Sequence, residues 1–162
     1  MTDLARPLRD HLIRALEWEE AHTGFRNAIE GIPPDRRGDR AAGFAHSPWE
    51  LLEHIRLAQN DLLEFCLNPA YSHTRTWPDD YWPTDRVPSD AAWDASVVAV
   101  EADRARLQQL VRDGSLDLFT LVPTGKERQT YLRAILLVLD HNAYHLGQLI
   151  AVRRALGIWK SS

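Results

Sequence analysis

The feature that most constrains this chain is a long amphipathic run from about Thr124 to Gly157, with two histidines on its apolar side. Tyr131, Ala134, Val138, Leu149 and Val152 recur at helical spacing, and His141 and His145 share their sector. A helix of this kind is stable only when its apolar stripe is buried against other elements. No other stretch alternates convincingly with period two, so the partners are expected to be helices. Thr124-Gly125-Lys126-Glu127 has the form of a capping box and predicts where the run begins.

Three further runs supply those partners. From about Pro7 to Ile29, Leu8, Leu12, Ala15, Leu16, Phe25 and Ile29 keep helical spacing, and Gly31 with Pro33-Pro34 ends the run. Residues 35–45 have no period and read as a connection. Ser47-Pro48-Trp49-Glu50 is a sharp helix start: Ser47 caps, Pro48 occupies the first helical position, and Glu50 completes a capping box. That helix is predicted to reach Leu67, before Pro69, with Leu51, Leu52, Ile55, Leu62, Leu63 and Cys66 on its apolar sector and His54 at the sector's edge. A third helix starts near Ser89, carries Trp93, Val97, Val100, Leu107 and Val111, and ends at Gly114. Leu116 to Val122 is either extended or irregular. Four amphipathic runs within 162 residues predict an all-α four-helix bundle with long interhelical connections, a single domain over residues 1–162.

Bulk properties narrow the function. Nineteen basic against 23 acidic residues leave a formal charge of −4, which supplies no basic footprint for nucleic acid. Cys66 is the single cysteine, so neither an internal disulfide nor a cysteine-based structural zinc site is available. The stretch Met1 to Arg6 has no apolar run resembling a signal peptide, and nothing approaches the ~18 apolar residues of a membrane span. Cytoplasm is the expected compartment, with no membrane partner.

Seven histidines are present, and His141 and His145 stand apart from the others. At i and i+4 they lie one above the other on a helix face, so both rings can point at one ion. His54, bordering the inner face of another helix, is the best third donor. Three imidazoles with an open position are the usual arrangement of a catalytic zinc-type site. The alternative is that these rings are core histidines satisfied by hydrogen bonds. Glu50, one turn before His54, is the best residue for proton handling, and its alternative role is capping alone. The segment from Asn68 to Val87 holds Pro69, Pro78 and Pro83 with Tyr71, Trp77, Tyr81 and Trp82 between them, and is expected either to cover the open side of the site or to cover the ends of the bundle. Cys66 projects roughly 120° from His54 at ~100° per residue, which suits a small core residue.

The string from His141 to Gln148, His-Asn-Ala-Tyr-His-Leu-Gly-Gln, followed by Arg153 and Gly157-Ile158-Trp159, resembles the C-terminal signature of the DinB/YfiT-like metalloprotein superfamily. The segment from His46 to Ile55 is similar to that family's other hallmark, whose terminal histidine, here His54, is the first metal ligand. The segment Trp77 to Pro83 resembles a loop found in one branch. The resemblance covers essentially the whole chain. It implies His54, His141 and His145 as the ligands of one divalent ion, zinc or nickel first and iron or manganese next. It also implies a helical bundle of unusual connection order, homodimerisation, and kinship with thiol-dependent S-transferases.

The function expected on these grounds is activation of a low-molecular-weight thiol for transfer to a small-molecule electrophile. A cation held by neutral ligands lowers the pKa of whatever binds it. Hydrolysis by metal-bound water and a metal-dependent stress-response, binding or structural module are the alternatives. Trp18, Trp49 and Trp159 are candidate interface aromatics for the homodimer.

Overall fold

The computed structural model describes residues 5–17 and 19–159. Its helices are α1 (Ala5–Ala15), α2 (Phe25–Ile29), α3 (Pro48–Leu67), α4 (Asp90–Arg112) and α5 (Tyr131–Ala155), with single 3-10 turns at Pro34–Arg36 and Asp79–Tyr81. The all-α class expected from the periodicity holds: no strand forms among the described residues, and pairing is limited to one isolated bridge between Leu121 and Thr130. Helix α3 packs against both α5 and α4, α1 packs on α4, and α2 on α5. One apolar cluster joins them, from Leu12 and Phe25 through Leu52, Ile55 and Leu63 to Leu107, Ile135, Leu146 and Leu149. No helix among the described residues is long and apolar enough to cross a membrane.

Helix α3 starts where the local signals place it. The Ser47 hydroxyl accepts from the Glu50 amide at 3.2 Å, and the Glu50 carboxylate accepts from the Ser47 amide at 2.8 Å. Both otherwise orphaned donors are satisfied. The helix stops at Leu67 because Asn68 precedes Pro69 and adopts φ −92°, ψ 109°, outside the helical region. Helix α4 is capped by Ser89, whose hydroxyl accepts from the Ala92 amide at 3.1 Å. One of its last carbonyls is met from α1, where Arg9 Nη1 donates to the Val111 oxygen at 2.6 Å.

Two boundaries differ from the sequence reading. The first run is not continuous from Pro7 to Ile29 but divides into α1 and α2, with Gly24 as the N-cap of α2. Glu17, Glu19 and Glu20 follow the end of α1, where negative charge opposes the helix dipole, and Gly24 is a poor helix former. Helix α5 begins at Tyr131 rather than at Thr124. Thr130 supplies the cap, its hydroxyl accepting from the Arg133 amide at 3.2 Å. Residues 122–130 instead turn back on themselves, with the Val122 amide donating to the Gln129 carbonyl at 2.9 Å. The far end of α5 closes on Gly157, in left-handed backbone at φ 71°, with the Ile158 amide on the Arg153 carbonyl and the Gly157 amide on that of Arg154, both at 3.0 Å.

Candidate metal centre

Helix α3 supplies His54, and α5 supplies His141 and His145 one turn apart; their nearest ring nitrogens all lie within 4.8 Å of one another. This is the trio singled out from the sequence. His54 and His145 are buried and His141 is partly so. Nε2 of His54 and Nε2 of His141 approach to 3.1 Å. Two imidazole nitrogens at tetrahedral positions about an ion with bonds of about 2.0–2.1 Å stand roughly 3.3 Å apart, so the spacing of this pair fits a shared cation.

The opposite edge of each ring decides which nitrogen is free. Nδ1 of His54 meets the backbone carbonyl of Tyr81 at 2.9 Å, Nδ1 of His141 meets Asn142 Oδ1 at 3.3 Å, and Nδ1 of His145 meets Gln148 Oε1 at 2.7 Å. All three partners are oxygens, which accept; with the proton on Nδ1 each ring keeps its Nε2 lone pair free, and those of His54 and His141 approach each other directly. Unscreened, such lone pairs repel; a cation among them removes the conflict. Burial is the main force on their titration. It pushes His54 down to about 4 against the pull of the Tyr81 carbonyl, and the neighbouring His141 adds to it. His145 is likewise driven to about 4 by burial and by the other two rings, and burial lowers His141. Neutral imidazoles, the state that binds metal, are the resting state.

The aromatic segment covers this cluster, the first of the two placements expected for it. Trp82 stacks on His54 with centroids 3.9 Å apart and planes 5° from parallel. His46 stacks on the other side of Trp82 at 3.8 Å. Trp77 stands 5.6 Å from the His54 ring and 5.8 Å from that of His141. Two tyrosines tie the segment down: the hydroxyls of Tyr71 and Tyr81 donate to opposite oxygens of Asp61 on α3, at 3.0 and 2.7 Å. Beside the histidines opens a cavity of about 480 Å³, walled by Ala58, Leu62, Trp77, Tyr81, Leu137 and Tyr144, with Asp61, His73 and Asp140 as its other polar groups.

Glu50 does not line that cavity. Its carboxylate caps α3 and pairs with Arg40, whose Nε donates at 2.9 Å and whose Nη2 reaches the second oxygen. Burial would raise its pKa, but Arg40 and Ser47 outweigh it and hold the carboxyl below its ordinary value. Cys66 is buried, and burial pushes its thiol up to about 12. Asn142, Gln148, His46 and the Tyr81 carbonyl were not singled out from the sequence as parts of the site. Asn142 and Gln148 had one usable signal, since both sit within a turn of the paired histidines.

The family model described as the DinB superfamily matches residues 17–149, a span that contains all three histidines. The chain belongs to the DinB superfamily. Comparisons with curated proteins and with solved structures found no match. DinB-like proteins are typically metal-binding, and this DinB chain carries a three-histidine cluster that can hold an ion.

Proposed function

We propose that this DinB protein is a metal-dependent enzyme that activates a small thiol for transfer to an apolar electrophile, with His54, His141 and His145 as the ligands of one divalent ion. The observation that carries the reading is the convergence of three lone pairs beside a roomy, mostly apolar cavity in a chain whose own thiol is buried elsewhere. Three nitrogen donors with no carboxylate among them suit zinc or nickel, with iron or manganese next. Such an ion, when bound, supplies Lewis acidity that makes a thiol or water nucleophilic near neutral pH.

The chain's own residues do the rest. Trp82 and His46 close one side of His54 to water by stacking. Trp77, Leu62 and Leu137 offer apolar contact to an electrophile. Asp61, fixed by two tyrosine hydroxyls, holds the covering segment in place. Glu50 is read as a positioning group: with Arg40 and Ser47 on its oxygens, it fixes the start of the helix that presents His54. Cytoplasmic placement belongs to this reading, since small thiols stay reduced there.

The test is a factorial screen of low-molecular-weight thiols and electrophiles with metal-loaded wild type and His54→Ala. Thiol-dependent turnover lost in the variant is expected. Turnover that needs metal but no thiol would shift the reading to a hydrolase, and thiol-dependent turnover unchanged in both His54→Ala and metal-free protein would end it.

A homodimer, which the family resemblance implies, belongs to the same proposal, although two of the three candidate interface aromatics are engaged within the chain. Trp49 is buried and donates its indole N–H to the Asp85 carbonyl at 2.8 Å, Trp159 lies against Arg153, and Trp18 lies outside the described residues. The exposed Leu136 and Tyr144 on α5 remain as apolar surface for a second copy. Light scattering is expected to give about twice 18.5 kDa; an 18.5 kDa particle alone at every concentration would exclude the dimer.

A further inference from the structure

Two of the most deeply buried polar side chains in the protein are Gln59 on α3 and Asn142 on α5, at 1% and 0% exposure. Buried amides are costly unless their hydrogen bonds are met, and here they are met in a directed series. Gln59 Nε2 donates to the backbone carbonyl of Val100 on α4 at 2.8 Å. Asn142 Nδ2 donates to Gln59 Oε1 at 2.8 Å. Asn142 Oδ1 is thereby left facing His141 Nδ1.

The direction of this series is set at its far end. A backbone carbonyl can only accept, so the nitrogen of Gln59 must face Val100 and its oxygen must face Asn142. Asn142 then has to turn its own nitrogen to Gln59 and its oxygen to His141. Reversing Asn142 would place an NH2 against His141 Nδ1, favour the proton on Nε2, and remove one lone pair from the cluster. Tyr81 presents His54 with a backbone carbonyl, which cannot be reversed in this way. An amide can, unless something else fixes it.

We propose that Gln59 and Asn142 are positioning residues which hold His141 in the tautomer protonated at Nδ1, and that Gln59 thereby controls the affinity of the site without touching any of its histidines. The affinity half rests on the metal reading above; the tautomer half does not. Partners that orient ligating histidines are worth about 10–100-fold in metal affinity, which sets the expected size.

The experiment uses the full-length chain, with zinc or nickel titrated against a chromophoric chelator and imidazole tautomers read by nitrogen NMR on metal-free protein. Gln59→Met is expected to weaken the ion by about 10–100-fold and to populate His141 protonated at Nε2. Gln59→Glu, as a neutral acid donating to Val100 and accepting from Asn142, is expected to keep the native tautomer and an affinity within about 3-fold of wild type. Leu63→Ala, a fully buried change one turn along α3, should lower stability and leave both readouts alone. Native tautomer and affinity in Gln59→Met would overturn the proposal, as would an equal loss in Leu63→Ala. Should Gln59→Met fail to fold, Asn142→Leu decides: it removes the acceptor facing His141 Nδ1, so protonation at Nε2 and weaker ion binding are expected, and a native tautomer with native affinity would overturn the proposal. If no protein binds an ion, the metal reading fails while the tautomer of the Gln59 variants still decides this one.

Discussion

His141→Ala is expected to strip the protein of its metal. Wild type supplemented with zinc or nickel should carry about one ion per chain, and the variant should lose more affinity than the ~100-fold typical of removing an orienting partner. The ring contributes one of three converging nitrogens, and its Nε2 lies 3.1 Å from that of His54, so its loss opens the site on the side of α5. Elemental analysis of the two proteins gives the answer, and equal occupancy would sink the ligand assignment. Acid should act in the same direction. Unfolded imidazoles titrate near ~6.5, whereas burial holds His54 and His145 at about 4 in the folded metal-free chain. On lowering the pH, the unfolded chain therefore takes up protons first. The stability contributed by neutral rings is complete above ~6.5 and is lost as the pH falls toward about 4. The same weak proton affinity keeps the nitrogens available to an ion through pH ~6.5, and protons begin to compete for them only toward about 4. Release already centred at ~6.5 would mean that the rings are not the buried, neutral set seen here.

What could be read from the sequence was whatever depends on neighbours along the chain. The capping box at Ser47 and Glu50 is a contact between residues three apart, and it formed as expected. The pairing of His141 with His145 follows from helical spacing alone, and His54 was placed by its position on the α3 wheel. Thr124 carried an equally good local signal and was misleading, because tertiary pairing of Leu121 with Thr130 and of Val122 with Gln129 claimed that segment for a turn. The density of rings and prolines from Trp77 to Trp82 allowed a cover over the site but could not say which ring stacks on His54. Nor could it say that a backbone carbonyl would fix that histidine's tautomer. Asn142 and Gln59 were silent for a related reason: the direction of an amide's hydrogen bonds depends on what α4 presents to it, 41 residues along the chain from Gln59.

Arg153 governs the second large effect, on stability rather than on metal. The residue is buried, at 3% exposure, and its guanidinium reaches from α5 to the end of α2. Nη1 donates to the carbonyls of Asn27 and Ala28 at 3.0 and 2.6 Å, and Nη2 to those of Glu30 and Ile158 at 2.7 and 3.3 Å. A five-residue helix such as α2 cannot satisfy its own last carbonyls, so one planar fork closes both that helix and the turn after α5. The Trp159 ring lies 4.8 Å from the guanidinium and covers its face. Arg153→Met keeps much of the apolar stem and leaves four carbonyls without this donor. At roughly 1.5–3 kcal/mol for a hydrogen bond to a charged group, with partial rescue by water, a loss of about 3 kcal/mol or more is expected. For a chain of this size that is a drop in melting temperature of roughly 6–12 °C. Arg153→Lys should recover little of it, because an ammonium has neither the fork nor the flat face. Metal affinity measured well below the transition should stay within about 3-fold, since His145 stands two helical turns away and keeps its own hydrogen bond to Gln148. An unchanged melting temperature in Arg153→Met would show that the carbonyls are satisfied without the clamp, and a selective loss of metal with stability intact would reassign Arg153 to the site.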